Sequence, residues 1–406
     1  MSPARCRFLF LNIGHAYDHF FMLIYPTVAV ALELSGEGFY GDLLMPATAG
    51  FVAFAAFTLP AGWLGDAWSR RNMMALMFLG LGASAIATAF STNTLHLAAG
   101  LFCMGAFAAI YHPVGIAMVA ESQEGVGRLL GINGVWGNLG VAAAPITTGG
   151  LIVWLGWQGA FIVPGLLSLA TGIAFLLLVP DEAPVKRRKT VSTPNAAAPG
   201  RDVLVRVFSY LGISSLLGGV IFAVLTIVMP KIVEASFTVE ELGGLIGAAG
   251  LASLIFAGAS MTQLITGPAA DRFSPRSLML LLGGLQVPLL LLLLVSQAWS
   301  AVAVALALMV VTFGIIPIQD AIVARYAAAH WRARVYSVKY VLSLGVSATA
   351  VPLAAWGYSA ESGFDRLYLV LTFCAVGVVA AALLLPRRRP EQAAPAWKSS
   401  EARSKA

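Results

Sequence analysis

The feature that most constrains this chain is a charged tight turn between two apolar runs, Gly62-Trp63-Leu64-Gly65-Asp66-Ala67-Trp68-Ser69-Arg70-Arg71, because it occurs twice. At Gly267-Pro268-Ala269-Ala270-Asp271-Arg272-Phe273-Ser274-Pro275-Arg276 four landmarks return at one offset of 205: Gly62 as Gly267, Asp66 as Asp271, Ser69 as Ser274 and Arg71 as Arg276. That offset divides a chain of 406 residues into two related halves. Internal repetition fixes architecture before any local feature does, and duplicated sets of membrane helices are the plan on which transporters are built.

The apolar runs cross a membrane because nothing else accommodates them. Apolar residues make up 59% of the chain and charged ones 11%, against ~25% charged in soluble domains. A span needs roughly 20 mostly apolar residues. Twelve fit, at 8–32, 43–65, 72–91, 95–119, 129–154 and 157–179, then 207–229, 244–267, 277–296, 299–324, 335–357 and 367–386. The expected fold is therefore an all-α polytopic membrane protein with twelve transmembrane helices in two pseudo-symmetric halves. The expected domains are 1–180, a cytoplasmic linker 181–202, 203–390, and a disordered cytoplasmic tail 391–406.

With the N-terminus in the cytoplasm, all 25 Lys and Arg residues except Lys231, Arg366 and Lys339 fall on the cytoplasmic side. This bias obeys the positive-inside rule and places both termini in the cytoplasm, in a cell (inner) membrane. The net charge of +6 carries no basic-aromatic patch, so no nucleic-acid partner is expected. Arg5 and Arg7 precede an apolar run as in a signal peptide, but His15, Asp18 and His19 interrupt that run and no small-residue cleavage site follows. An uncleaved first span is expected. Cys6, Cys103 and Cys374 give neither a disulfide framework nor a metal motif. No nucleophile–base pair, Gly-rich phosphate loop or metalloprotease motif appears, so neither an enzyme nor a cofactor is expected.

In the repeated loop a helix-ending Gly lets two backbones approach, and an Asp can face the positive N-terminus of a neighbouring helix. Gly62, Leu64, Asp66, Arg70 and Arg71 resemble the loop between helices 2 and 3 of the major facilitator superfamily, which reads G-x-L-x-D-x-x-G-R-R. Ser69 and Ser274 replace its second Gly, and Pro275 replaces an Arg. The resemblance implies two six-helix bundles rocking about a mid-membrane site. It assigns Gly62, Asp66, Arg70 and Arg71, with Gly267, Asp271, Arg272 and Arg276, to conformational loops. Asp66 is expected near the start of span 11 at Arg334, and Asp271 near the start of span 5 at Arg128.

Span 5 carries Gly137-Asn138-Leu139-Gly140-Val141-Ala142-Ala143-Ala144-Pro145-Ile146-Thr147-Thr148-Gly149-Gly150. Small residues at helical spacing permit close packing, and the Pro bends the helix. The segment resembles the G-x-x-x-G-P-x-x-G-G motif of the superfamily's exporters and antiporters, with Ala144 for Gly and one extra residue before Gly149; as a packing motif alone it carries no direction of transport.

Span 1 holds the densest polar set, Asn12, His15, Asp18 and His19. His15, Asp18 and His19 stand at i, i+3 and i+4 and share one helix face. Asp18 is near mid-depth, where a charged acid costs on the order of 2.5 kcal/mol or more, so it must face a cavity, have a partner or be protonated. It is the leading proton-coupling candidate, with His15 and His19 tuning it; the alternative is a helix–helix hydrogen bond. Span 4 carries Tyr111-His112-Pro113, and Pro317 in span 10 is its counterpart. This aromatic-His-Pro with an acid in span 1 resembles the fosmidomycin-resistance-type branch, although Val114 and Gly115 stand where that branch has an acid. Leu101 stands where many proton antiporters carry an Arg.

The superfamily's cavity is lined by spans 1, 4, 7 and 10, helped by 2, 5, 8 and 11. Its candidates here are Tyr25, Tyr111, His112, Asn133, Trp136, Asn138, Tyr210, Gln263, Gln319, Lys339 and Tyr340, and Asp320 is a second coupling acid. Lys339 either faces the cavity or snorkels to the cytoplasmic interface, and Asp320 either serves the cavity or pairs with Arg325 at that interface.

These readings converge on a secondary active exporter, a monomer that moves a small organic or amphipathic compound outward as protons enter. The alternative is transport of a transition metal or metal chelate, since His15, Asp18, His19 and His112 are metal-competent. No soft ligand joins them and one helix face cannot complete a coordination shell, so no metal site is assigned. A non-transporting membrane receptor is the third reading.

Overall fold

The computed structural model describes residues 2–120, 126–180, 200–327 and 332–387. Most of the linker, at 181–199, and the tail from 388 lie outside them, as do the side chains of Arg128 and Arg334. The described chain is helical apart from turns and one isolated bridge between Ser359 and Gly363.

The twelve spans appear in order. Span 1 is Pro3–Met22 continued by Ile24–Leu34; span 2 is Tyr40–Leu44 with Ala47–Ala67; span 3 is Arg70–Ala89. Span 4 is Thr94–Ala108, the wide turn Tyr111–Gly115 and Ile116–Ala120. Spans 5 and 6 run as one helical stretch, Val126–Leu178, broken at Gly156, whose φ of 73° is open to glycine and strained for other residues. Span 7 is Arg201–Ala235, and span 8 is Leu245–Met261 with Gln263–Arg272. Spans 9 to 12 are Pro275–Leu293, Ala298–Tyr326, Arg332–Gly345 with Ser347–Gly357, and Asp365–Ala382. Ten helical stretches of the described chain are long and apolar enough to cross a membrane, the Leu129–Leu178 stretch holding two crossings; span 1, divided at Leu23 and carrying the polar set, is not among the ten.

Span 7 starts earlier than its apolar run, taking in residues expected to be linker. Gly200 precedes its first turn and Asp202 lies within it, where an acid meets the positive end of the helix. Residues 201 and 202 are thus helix.

The turn at Leu23 divides span 1 three residues before Pro26, whose missing N–H cannot serve the preceding turn. Large apolar side chains such as Leu177, Phe373 and Val295 point outward and stay uncovered. On a soluble protein they would be a liability; on a membrane helix they face acyl chains. Trp154, Trp299 and Trp356 are exposed near span ends, as an interfacial aromatic belt requires.

The repeat is physical as well as textual. Ser69 accepts a hydrogen bond from the Asn72 N–H and caps span 3, and Ser274 accepts from the Ser277 N–H and caps span 9. Arg71 donates to the carbonyls of Leu176 and Val179 at the end of span 6. Arg276 donates to Leu385 O at the end of span 12. Each Arg thus satisfies orphan carbonyls at the negative end of its own half's last helix. The serines that replace the glycine of the resembled motif serve as N-caps.

Between the halves, span 2 packs on span 11 and span 5 on span 8. At the second interface Gly149 leaves room for Ala249, and Ile146 N–H, next to Pro145, donates to Ser253 Oγ at 3.0 Å. At the end of the bundle opposite the repeated loops, Lys231 of span 7 pairs with both Glu33 of span 1 and its own neighbour Glu234. The rings of Tyr40 and Tyr358 lie 5.8 and 5.4 Å from its ammonium nitrogen, and Phe39 stacks on Tyr358. This cluster joins the two halves at that end.

Candidate functional site

Span 1 presents His15, Asp18 and His19 inward because its helical period puts them on one face, and span 4 meets that face with Tyr111 and His112. Those two stand in the wide turn Tyr111–Gly115, where Pro113 disturbs the helix and re-aims its neighbours. Gly62 and Gly65 of span 2 accept the other side of this turn: a Cβ on Gly62 would stand 3.0 Å from Pro113 and one on Gly65 2.8 Å from Val114. Span 5 closes on span 1 through Gly140, where a Cβ would collide with the Ala16 carbonyl at 2.1 Å.

His15 is wedged between the ring of Tyr111, stacked at 4.7 Å, and the bare backbone of Gly137. Its Nδ1 lies 2.8 Å from the Asn133 carbonyl. A carbonyl only accepts, so Nδ1 carries the proton and Nε2 the lone pair. Asn133 is itself held: its Oδ1 accepts from Tyr111 OH at 3.0 Å and its Nδ2 donates to Asn12 Oδ1 at 3.0 Å.

Asp18 is 1% exposed. Its Oδ2 lies 3.0 Å from His112 Nε2 and 3.9 Å from His19 Nε2. The 3.0 Å approach is out of line for a hydrogen bond. Both carboxylate oxygens and both His112 nitrogens are consequently buried without a hydrogen-bond partner. The three imidazoles are mutual neighbours, with ring centroids 5.2 to 5.5 Å apart. One ring nitrogen from each of His15, His19 and His112 lies within 4.8 Å of the other two, a spacing that can hold a metal ion.

The second half reaches this cluster through span 11. The Tyr340 ring stands 5.5 Å from that of His112, and Lys339 Nζ is 4.9 Å from the Tyr340 ring. Lys339 is 5% exposed and hydrogen-bonds Asp320 of span 10. It therefore does not snorkel to the interface, and Arg325 turns instead to Ala270 O and Asp271.

The other candidates are spread along the bundle. Gln263 of span 8 faces Gly134 of span 5 across the halves and donates to Phe313 O at 3.5 Å. Gln319 donates to Ser214 Oγ at 3.3 Å beside buried Tyr210. Asn138 is buried with Nδ2 unpartnered, and Trp136 is half-buried. Tyr25 stands apart, donating to the Leu43 carbonyl at 2.7 Å where span 2 begins. Asp66 pairs with Arg70 of its own loop, and its side chain is 69% exposed. Asn12, counted in the polar set of span 1 but given no role, braces the site, and Glu33 and Glu234, which the sequence did not single out, pair with Lys231 and close the far end. An ionisable pair in an apolar chain was their available signal.

A family model described as Major Facilitator Superfamily matches residues 9–260 and 241–404. The chain is 26% identical over 269 residues to a 4-hydroxybenzoate transporter, PcaK, of Pseudomonas aeruginosa, covering 58% of each protein. It is 25% identical over 161 residues to a probable actinorhodin transporter of Streptomyces coelicolor, covering 38% of this chain and 28% of that one. These matches span about half and about a quarter of the two relatives. Among solved structures, a bacterial homolog to the human lysosomal transporter Spinster superposes in its inward-facing unoccupied form with a TM-score of 0.71 at 14% identity, over 95% of this chain and 96% of that one. Its inward-facing occupied form gives 0.72 at 13% identity over the same shares of the two chains.

Proposed function

The chain belongs to the Major Facilitator Superfamily, and from that premise we propose that it is a proton-coupled exporter of a small organic or amphipathic compound, working by alternating access. Within the superfamily we place it with the fosmidomycin-resistance type, on Tyr111-His112-Pro113 in span 4 and the acid in span 1. Both curated relatives are named as transporters of organic compounds, which supports that class of cargo.

The observation that carries the reading is the cluster at the interface of the halves. Asp18, buried and unpartnered, is set among three imidazoles from spans 1 and 4, and Tyr340 of span 11 faces one of them. A carboxyl group in that position gains or loses a proton according to which side reaches it, and the rocking of the two halves alternates that access. His15 and His19 tune Asp18; Asp320, paired with Lys339, is the second acid of the route. The resemblance of the span 5 segment to the exporter and antiporter motif supports export; its contacts, Gly137 and Gly140 on span 1 and Ile146 and Gly149 on span 8, carry no direction of their own. The linker and tail are cytoplasmic, and the unit is a monomer in the inner membrane.

Flux of candidate compounds into proteoliposomes, with and without an imposed pH gradient, tests this. Asp18→Asn mimics the permanently protonated acid. It is expected to abolish accumulation driven by the pH gradient while leaving substrate binding measurable. Asp18→Asn vesicles that still concentrate a compound on a proton gradient alone would place coupling elsewhere, with Asp320 next.

A further inference from the structure

More lone pairs converge beside Asp18 than the protein itself satisfies. Buried polar groups are hydrogen-bonded in the great majority of cases, so four unpartnered atoms on two touching side chains ask for a missing partner. That partner is positive, because the carboxylate offers only acceptors and each neutral imidazole adds one lone pair. A single proton satisfies one contact. A metal ion satisfies Asp18 and all three imidazoles together.

The geometry and chemistry agree on the kind of ion. Bonds of about 2.0–2.2 Å to a tetrahedral ion put neighbouring ligand atoms about 3.3–3.6 Å apart. Asp18 Oδ2 already stands 3.0 Å from His112 Nε2 and 3.9 Å from His19 Nε2, and the ring nitrogens, within 4.8 Å of one another, need close by little more than 1 Å. Three nitrogens and one carboxylate suit first-row transition ions, whereas Mg²⁺ and Ca²⁺ take oxygen ligands. The His15 ring is oriented as metal-binding imidazoles usually are, its other nitrogen donating to a backbone carbonyl. The one face of span 1 cannot complete a shell, and His112 from span 4 supplies the second side. Lys339, the nearest cation, is covered by Asp320.

We infer that His15, His19, His112 and Asp18 form a binding site for a divalent transition-metal ion of the zinc, cobalt or nickel kind, and that this ion is cargo. The movement rests on the transport reading above; the binding does not.

Cobalt titration of the tag-free protein in detergent reads the site directly, because four-coordinate Co²⁺ absorbs strongly in the visible. One Co²⁺ per chain is expected, displaced by Zn²⁺. His112→Gln and His19→Gln should each weaken binding by about a hundredfold or more, with gel filtration confirming that both variants remain folded. A wild-type protein without visible bands, or bands that survive both substitutions in folded protein, would overturn the site. Zinc flux into liposomes loaded with a zinc-sensitive dye then tests the cargo: dye response lost in His112→Gln supports it, and stoichiometric binding without flux overturns it in favour of a resident ion. Flux of organic compounds under the same pH gradient is scored separately, so failure of metal binding and failure of the transport reading are told apart.

Discussion

Asp18 and Lys339 are both buried ionisable groups, and their surroundings differ in one respect that sets their roles. Lys339 has a hydrogen-bonded partner in Asp320, whereas Asp18 touches His112 without a formed hydrogen bond. Removing one member of a buried pair strands the other, while removing both does not. Asp320→Asn, which strands the buried ammonium of Lys339, should therefore lower stability by about 1–3 kcal/mol, and Asp320→Asn with Lys339→Met should recover most of that loss in a detergent melting assay. A double variant as unstable as the sum of the two single ones would mean that the pair does not couple. Tyr111→Phe deletes the hydroxyl that donates to Asn133 Oδ1. It leaves that acceptor short of a donor, at a cost of about 1–3 kcal/mol. It also frees Asn133, whose carbonyl sets the His15 tautomer, so the melting temperature should fall and metal affinity with it.

At the scale of helices, glycine contacts decide how near the polar face of span 1 comes to its neighbours. Gly140 stands where a Cβ would lie 2.1 Å from the Ala16 carbonyl, and a backbone atom cannot step aside as a flexible side chain can. Gly140→Ala is expected to push span 5 off span 1 and cost about 1–3 kcal/mol. Gly150, ten residues on in the same helix, has nothing within 4 Å of its own Cβ position. Gly150→Ala should be neutral, or stabilising by up to about 1 kcal/mol through helix propensity. The pair of melting temperatures checks the argument, and equal shifts would sink it. The extra residue before Gly149 fits this division of labour, since Gly137 and Gly140 face span 1 whereas Gly149 faces span 8.

For the whole molecule, the two ends of the bundle are held by unlike contacts. Lys231, 5% exposed, ties Glu33 of one half to Glu234 of the other under a lid of Tyr40, Tyr358 and Phe39. Lys231→Met leaves Glu33 without its cation and should bias the molecule toward opening at that end. A bias of ~1 kcal/mol changes a two-state ratio about fivefold. With Cys6, Cys103 and Cys374 replaced, labelling of Thr27→Cys by an impermeant thiol reagent should quicken by that factor; an unchanged rate would mean that the aromatic lid alone holds the closure. At the other end Asp66 pairs with Arg70 in the open. Exposed pairs contribute about 0–1 kcal/mol, so Asp66→Asn should leave abundance normal and slow transport. Wild-type flux would reduce the loop to a topological signal.

What the sequence alone determined is what periodicity and solvent dictate. Apolar runs of spanning length cannot be anything but membrane helices, and a loop repeated at an offset of 205 forces two related halves. The polar face of span 1 was legible for the same reason, since His15, Asp18 and His19 share it by helical spacing alone. The partners of that face were not legible. His112 is 94 residues from Asp18, Asn133 is 118 from His15, and Lys339 is 19 from Asp320, and no local pattern encodes which helix lies against which. Packing decided those meetings. Backbone approaches at Gly137 and Gly140, and the disturbed turn at Pro113, bring a ring from span 4 against Asp18 and a carbonyl from span 5 against His15. The same holds for Lys231, which reads in sequence as one stray cation outside the membrane and in three dimensions joins the two halves.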